Sequence, residues 1–102
     1  MRKLALFLTL ASGMAHASCD LPESFWDWPR SGDSVLALKE IRPCIDAYLA
    51  TPGSSLVIRH GKQDENILHA DELRAWLVSL GISPSRIRDV ADDGTALSIE
   101  NH

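Results

Sequence analysis

This sequence predicts an α+β fold: a small β-α-β-α-β domain with two helices on one face of a short sheet. Three observations predict it. Ser55-Leu56-Val57-Ile58-Arg59 is short, apolar and rich in β-branched residues, as a buried strand should be. The stretches on either side of it carry apolar residues at helical spacing. The run Trp76-Leu77-Val78-Ser79-Leu80-Gly81-Ile82-Ser83-Pro84-Ser85-Arg86-Ile87 then ends a helix, turns and opens a strand. In that run Gly81 can take the left-handed conformation that stops a helix, and Pro84 cannot resume one.

The chain opens as exported chains do. Arg2 and Lys3 precede the apolar run Leu4-Ala5-Leu6-Phe7-Leu8-Thr9-Leu10, and small residues lead to Ala15-His16-Ala17, a signal-peptidase pattern. Residues 1–17 therefore read as a cleaved signal peptide and residues 18–102 as one exported, periplasmic domain. The leader's apolar core is too short to span a bilayer, and no transmembrane segment is expected in the mature chain. His16 stands where a lipoprotein signal would carry Leu or a similar residue, so acyl anchoring at Cys19 is not expected. Cys19 and Cys44 are the two cysteines, and in an oxidising compartment they are expected to pair. Such a bond would tie the mature N-terminus to the first helix and contribute about 3 kcal/mol by loop-closure entropy, which matters in a domain this small. Losing Arg2 and Lys3 with the leader takes the formal charge from −4 to −6. That balance argues against nucleic acid or anionic lipid as a partner.

Along the mature chain, Ser24-Phe25-Trp26-Asp27-Trp28-Pro29 alternates aromatic and polar residues and is expected to form a short first strand. Ser31-Gly32-Asp33-Ser34 supplies turn and N-cap chemistry for a helix whose apolar positions are Val35, Leu38, Ile41, Ile45, Tyr48 and Leu49. Pro43 removes a backbone hydrogen bond inside that pattern, so it should kink the helix or move its true start to Arg42. Thr51-Pro52-Gly53 ends it. After the strand at Leu56, the loop at His60-Gly61 leads to a second amphipathic helix bearing Ile67, Leu68, Leu73, Trp76, Leu77 and Leu80. Arg86-Ile87-Arg88-Asp89-Val90 alternates as a half-buried strand, Ala91-Asp92-Asp93-Gly94 turns, and Ala96, Leu97 and Ile99 mark a last strand.

From about Phe25 to Ile99 this order of elements resembles the C-terminal domain of OmpA, a peptidoglycan-binding family. The residues carrying the likeness are Leu56-Val57-Ile58 and the helix-to-strand run from Leu77 to Ile87, which matches the family's "L...GI...RI" stretch. The resemblance implies a loop aspartate that meets the diaminopimelate ammonium of the peptidoglycan stem, and a helix arginine that pairs with its carboxylate. A zwitterion needs one anion and one cation at opposite ends of a partly desolvated pocket. This chain departs at both points. His60-Gly61-Lys62 stands where the family's loop begins, and His69 stands in the arginine's place beside Ala70. Arg59, His60, Lys62, Asp64 and His69 are the ligand-binding candidates on this reading, and peptidoglycan or an envelope protein is the expected partner.

Arg59-His60-Gly61 also resembles the signature of histidine phosphatases, in which that histidine attacks phosphorus while arginine neutralises the phosphoryl oxygens. The long α/β domain that supplies the remaining phosphatase groups has no counterpart after Asn66. Non-enzymatic action is therefore expected, with no catalytic residue and no cofactor. His60, Asp64 and His69 lack the one-turn helical spacing of a zinc site, so no metal is expected. Trp26, Trp28 and Trp76 read first as core, and whichever of Trp26 and Trp28 stays exposed is a candidate partner contact. The alternative reading is a small exported inhibitor, immunity protein or secretion-system accessory that acts by protein-protein binding.

Overall fold

The computed structural model describes residues 17–94 and 96–102, so all but the last position of the expected leader lies outside the described residues. In chain order the elements are strand β1 (Ser18–Asp20), helices α1 (Gly32–Leu36) and α2 (Arg42–Ala50), strand β2 (Leu56–Gly61), helix α3 (Asp64–Ser79), and strands β3 (Ile87–Asp92) and β4 (Ser98–Asn101). The sheet order is β1-β4-β2-β3. β2 and β3 run parallel, joined through α3, whereas β4 runs antiparallel to both β2 and β1. This is the α+β architecture that the apolar spacing predicts.

Two elements differ from the sequence expectation. Residues 24–29 do not form the first strand. Glu23–Asp27 is a turn of 3-10 helix with Trp26 half-buried, and the first strand is Ser18–Asp20 instead. Alternation of aromatic and polar residues also suits a tight helical turn when the aromatics have a helix to pack on. The expected first helix is split in two. α1 is opened by a capping box in which Ser31 Oγ accepts from Ser34 N at 3.1 Å and Ser34 Oγ accepts from Ser31 N at 2.8 Å. The chain then turns through residues 37–41 and restarts at Arg42, where Pro43 sits in the first helical turn and its missing N–H costs nothing.

The end of α3 follows from Gly81. Its φ of 109° lets Ile82 N donate to Leu77 O and Gly81 N donate to Val78 O, both at 3.0 Å, which is the Schellman arrangement. Ile82 and Leu77 are both buried, so the turn is sealed by the apolar contact that accompanies this cap.

All three helices contribute to a core on one face of the sheet. Cross-strand register puts Leu56 opposite Ile87 and Ile58 opposite Ile99, and these four pack with Val35, Ile41, Cys44, Leu73 and Leu77. The other face presents Arg59, Arg88 and Glu100, with Val57 buried between Arg88 and Glu100 across the ladder. Cys19 in β1 is bonded to Cys44 in α2 across a Cα–Cα distance of 6.2 Å, and both are buried. The bond ties the edge of the sheet to the helical layer.

Closing a loop across the sequence separation of 25 should stabilise the fold by about 3.5 kcal/mol. A Cys44→Ala variant is expected to lower the thermal midpoint by more than 10 °C, read by circular dichroism. Reductant should shift the parent protein's midpoint in the same direction and leave the variant's unchanged.

Candidate functional site

At the end of β2 the chain passes through Gly61 and two exposed residues into α3, and β4 begins beside that same end, since Arg59 is in register with Ser98. Space for a Cβ is absent at Gly61: it would collide with the Gly94 carbonyl oxygen and with the Asn66 side-chain amide. The strand end is thus held against the turn that precedes β4 and against the first turn of α3.

Beside this junction lies a polar cleft of about 860 Å³. One wall is α3, with Glu65, Asn66 and His69. The facing wall is the 3-10 turn, with Glu23, Trp26 and Asp27, and Ala96 and Leu97 close the end. Glu65 and His69 share the wall because they are four apart on a helix. The 3-10 turn is fixed by the chain before it, where Leu21 N donates to Leu97 O at 2.9 Å, and by its own first bond, from Phe25 N to Pro22 O at 3.0 Å.

Trp26 fastens the two walls together. Its indole stacks on the His69 imidazole with centroids 4.2 Å apart and 3° between planes, and meets Phe25 edge-on at 4.9 Å. The Arg30 guanidinium lies 5.1 Å from the same indole's centroid. Arg30 also forks onto Glu72 of α3, at 2.7 Å from Nε and 2.8 Å from Nη2, and donates from Nη1 to the carbonyls of Trp26 and Trp28. Trp76 Nε1 donates to Glu72 at 3.0 Å. The Arg30 hydrogen bonds hold the Glu72 carboxyl below the ordinary carboxylate range, reinforced by Trp76 and opposed by burial.

Of the five residues singled out in the sequence, only His69 lines the cleft. Neighbours on a strand point to opposite faces, so Arg59 and His60 diverge. Arg59 lies on the open face and pairs with Glu100 at 2.9 and 3.2 Å, whereas His60 is buried with Nδ1 2.7 Å from Gly61 O. Lys62 reaches Asp93 at 3.1 Å in solvent. Asp64 is exposed at the start of α3, where its charge suits the helix dipole. Sequence reasoning did not single out Glu23, Asp27 and Arg30. No local pattern announces them, although the four-residue spacings Glu65 to His69 and Glu72 to Trp76 are legible helix-face pairs.

The chemistry available is therefore that of an anionic cleft. Carboxylates from both walls can accept from an ammonium or another cationic donor, and the His69 ring and the Asn66 amide offer further hydrogen-bonding groups beside them. Among the described residues no group of three or more His, Cys, Asp or Glu is placed to hold a metal ion, and no helix is long and apolar enough to cross a membrane. No protein-family model matches the chain, and neither the curated proteins nor the solved structures contain a match to it.

The Gly61 junction makes Gly61→Ala an overpacking change. It is expected to cost about 3 kcal/mol, the upper end of the overpacking range, read as a lowered urea midpoint, against a smaller loss of about 1 kcal/mol for Gly53→Ala, whose Cβ would meet nothing and whose φ of 85° brings backbone strain alone. The open-face pair gives a pH signature. Hydrogen bonds from Arg59 and then His102 bring the Glu100 carboxyl from 4.5 down to about 2. A folded-state value below the unfolded one stabilises above the unfolded value, and the effect is lost as pH falls through the folded value. Thermal midpoints should therefore decline between pH 4.5 and about 2, and Glu100→Gln should flatten that part of the profile.

Proposed function

We propose that this protein is a non-enzymatic cell-envelope domain, a reduced relative of the OmpA C-terminal fold, that binds an ammonium-bearing group of peptidoglycan in the acidic cleft. The observation that carries the reading is the placement of Glu23, Asp27 and Glu65 around one cleft at the end of β2, beside the start of α3. That is the strand-to-helix junction where the resemblance puts the ligand. The order of strands and helices also supports it.

The cleft would hold the cationic end of a stem-peptide zwitterion and leave the anionic end poorly served. His69, in the place of the family's arginine, is stacked on Trp26, and the nearby Arg30 is engaged by Glu72. Without a guanidinium fork the carboxylate loses its bidentate partner, so binding should be weaker than a complete pair would give and should depend on salt. The phosphatase reading has less support. Its attacking histidine would need arginine beside it, whereas Arg59 is held on the opposite face by Glu100 and the His60 ring is buried against Gly61 O. A second reading, docking of an envelope protein, is favoured by Trp28, which is 71% exposed just beyond the 3-10 turn.

Co-sedimentation of the oxidised protein with insoluble peptidoglycan tests both. Retention is expected for the parent and for Trp28→Ser, with at least a fivefold loss for the Glu23→Gln, Asp27→Asn, Glu65→Gln triple variant. Loss with Trp28→Ser but not with the triple variant would place recognition on the tryptophan surface. Equal retention of all three proteins, or of none, would overturn the proposal.

A further inference from the structure

The far end of α3 borders a second, quite different cleft. It measures about 140 Å³ and lies between α1, α2 and the Schellman turn. Its floor is made of buried Val35, Ile41, Leu77 and Ile82. Leu36 and Leu49 stand on its edges, 50% and 70% exposed, and among the described residues no aromatic ring lines it. Among the described residues Arg42 is the one charged residue in its lining. Its Nη2 donates to Leu36 O at 2.7 Å, which lays the guanidinium across the gap between the end of α1 and the start of α2.

We propose that this cleft binds a monomeric medium-chain carboxylate, with the carboxylate on Arg42 and the chain on the aliphatic floor. Size and charge select that occupant. An apolar cavity of about 150 Å³ accepts a benzene-sized molecule, so the enclosed part takes a few methylenes and excludes a helix or a whole lipid. The walls are aliphatic, and nothing in them orients a planar ring. Leu36 and Leu49 extend the apolar surface past the mouth, giving a flexible chain a continuation whose cover removes exposed apolar area from water. One guanidinium, with a single donor committed to a backbone carbonyl, keeps its other N–H groups for an anion. The formal charge of −4 opposes diffuse adsorption of anions, so any carboxylate that binds is selected locally. The site shares no residue with the acidic cleft, and the proposal stands apart from the reading given for it.

The test is a titration of the disulfide-bonded protein with sodium octanoate and with octanol, followed by methyl resonances in two-dimensional NMR. Octanoate is expected to shift Val35, Leu38, Leu49, Leu77 and Leu80 and to leave Val57 and Val90 unmoved. Arg42→Gln should weaken octanoate by about fivefold while leaving octanol unchanged, in line with an exposed charge-assisted contact. Leu49→Glu, at an exposed position that the fold does not need, should abolish octanoate binding with the circular dichroism spectrum preserved. Octanoate shifts that persist in both variants, equal affinity for octanoate and octanol in the parent, or no shift at the cleft would each overturn the proposal. Binding to vesicles of anionic phospholipid without a response to octanoate would also overturn it, because it would mean a membrane surface and no monomeric ligand.

Discussion

The bond between Cys19 and Cys44 carries a structural consequence larger than its own energy. β1 has only three residues and pairs with β4 alone, at the edge of the sheet. A strand that short cannot hold its place by ladder hydrogen bonds. Fixed to α2 by the disulfide, it becomes an anchored starting point for the chain that follows. Leu21 N then reaches Leu97 O, the 3-10 turn is laid along α3, and Trp26 meets His69. The facing wall of the acidic cleft thus depends on a covalent link made on the helical side of the core.

A second fastening works from the other side of the turn. Arg30 pairs with Glu72 and also donates to the carbonyls of Trp26 and Trp28, so one guanidinium satisfies a helix carboxylate and two loop carbonyls together. These are surface interactions, of modest energy as pairs. Their effect is geometric, since five donors in a planar fork restrict where the loop can lie. The result is a wall built of loop that nevertheless has side-chain partners on a rigid helix, which is how a binding surface gains precision without a larger core.

α3 organises the two surfaces as well as the core. Its inward positions, Ala70, Leu73 and Leu77, are fully buried on the sheet. Its first half contributes Glu65 and His69 to a polar cleft, and its last turn contributes Leu77 and Leu80 to an apolar one. At 1.5 Å per residue, the eight positions from His69 to Leu77 separate them by about 12 Å. A polar and an apolar cleft are thereby segregated along one element, the one long helix among the described residues.

Local rules in the sequence determined a good deal of this. Apolar β-branched residues made β2 a buried strand, Pro43 moved the start of α2 to Arg42, Gly81 and Ile82 wrote the end of α3, and an even pair of cysteines in an exported-looking chain implied the disulfide. Each of these is a property of neighbours in sequence or of elementary pairing chemistry. The 24–29 segment was misread as a strand because alternation fits an extended chain and a helical turn alike, and only the presence of α3 to pack against decides between them. The site was hidden for a related reason. Arg59 and His60 are adjacent in sequence and are sent to opposite faces by the strand, whereas Glu23 and Glu65 are far apart in sequence and are brought to one cleft by the β1–β4 pairing and the disulfide. Sequence fixes what each segment prefers to be; long-range pairing and packing decide which side chains share a space, because that depends on contacts between segments and not on the preferences within any one of them.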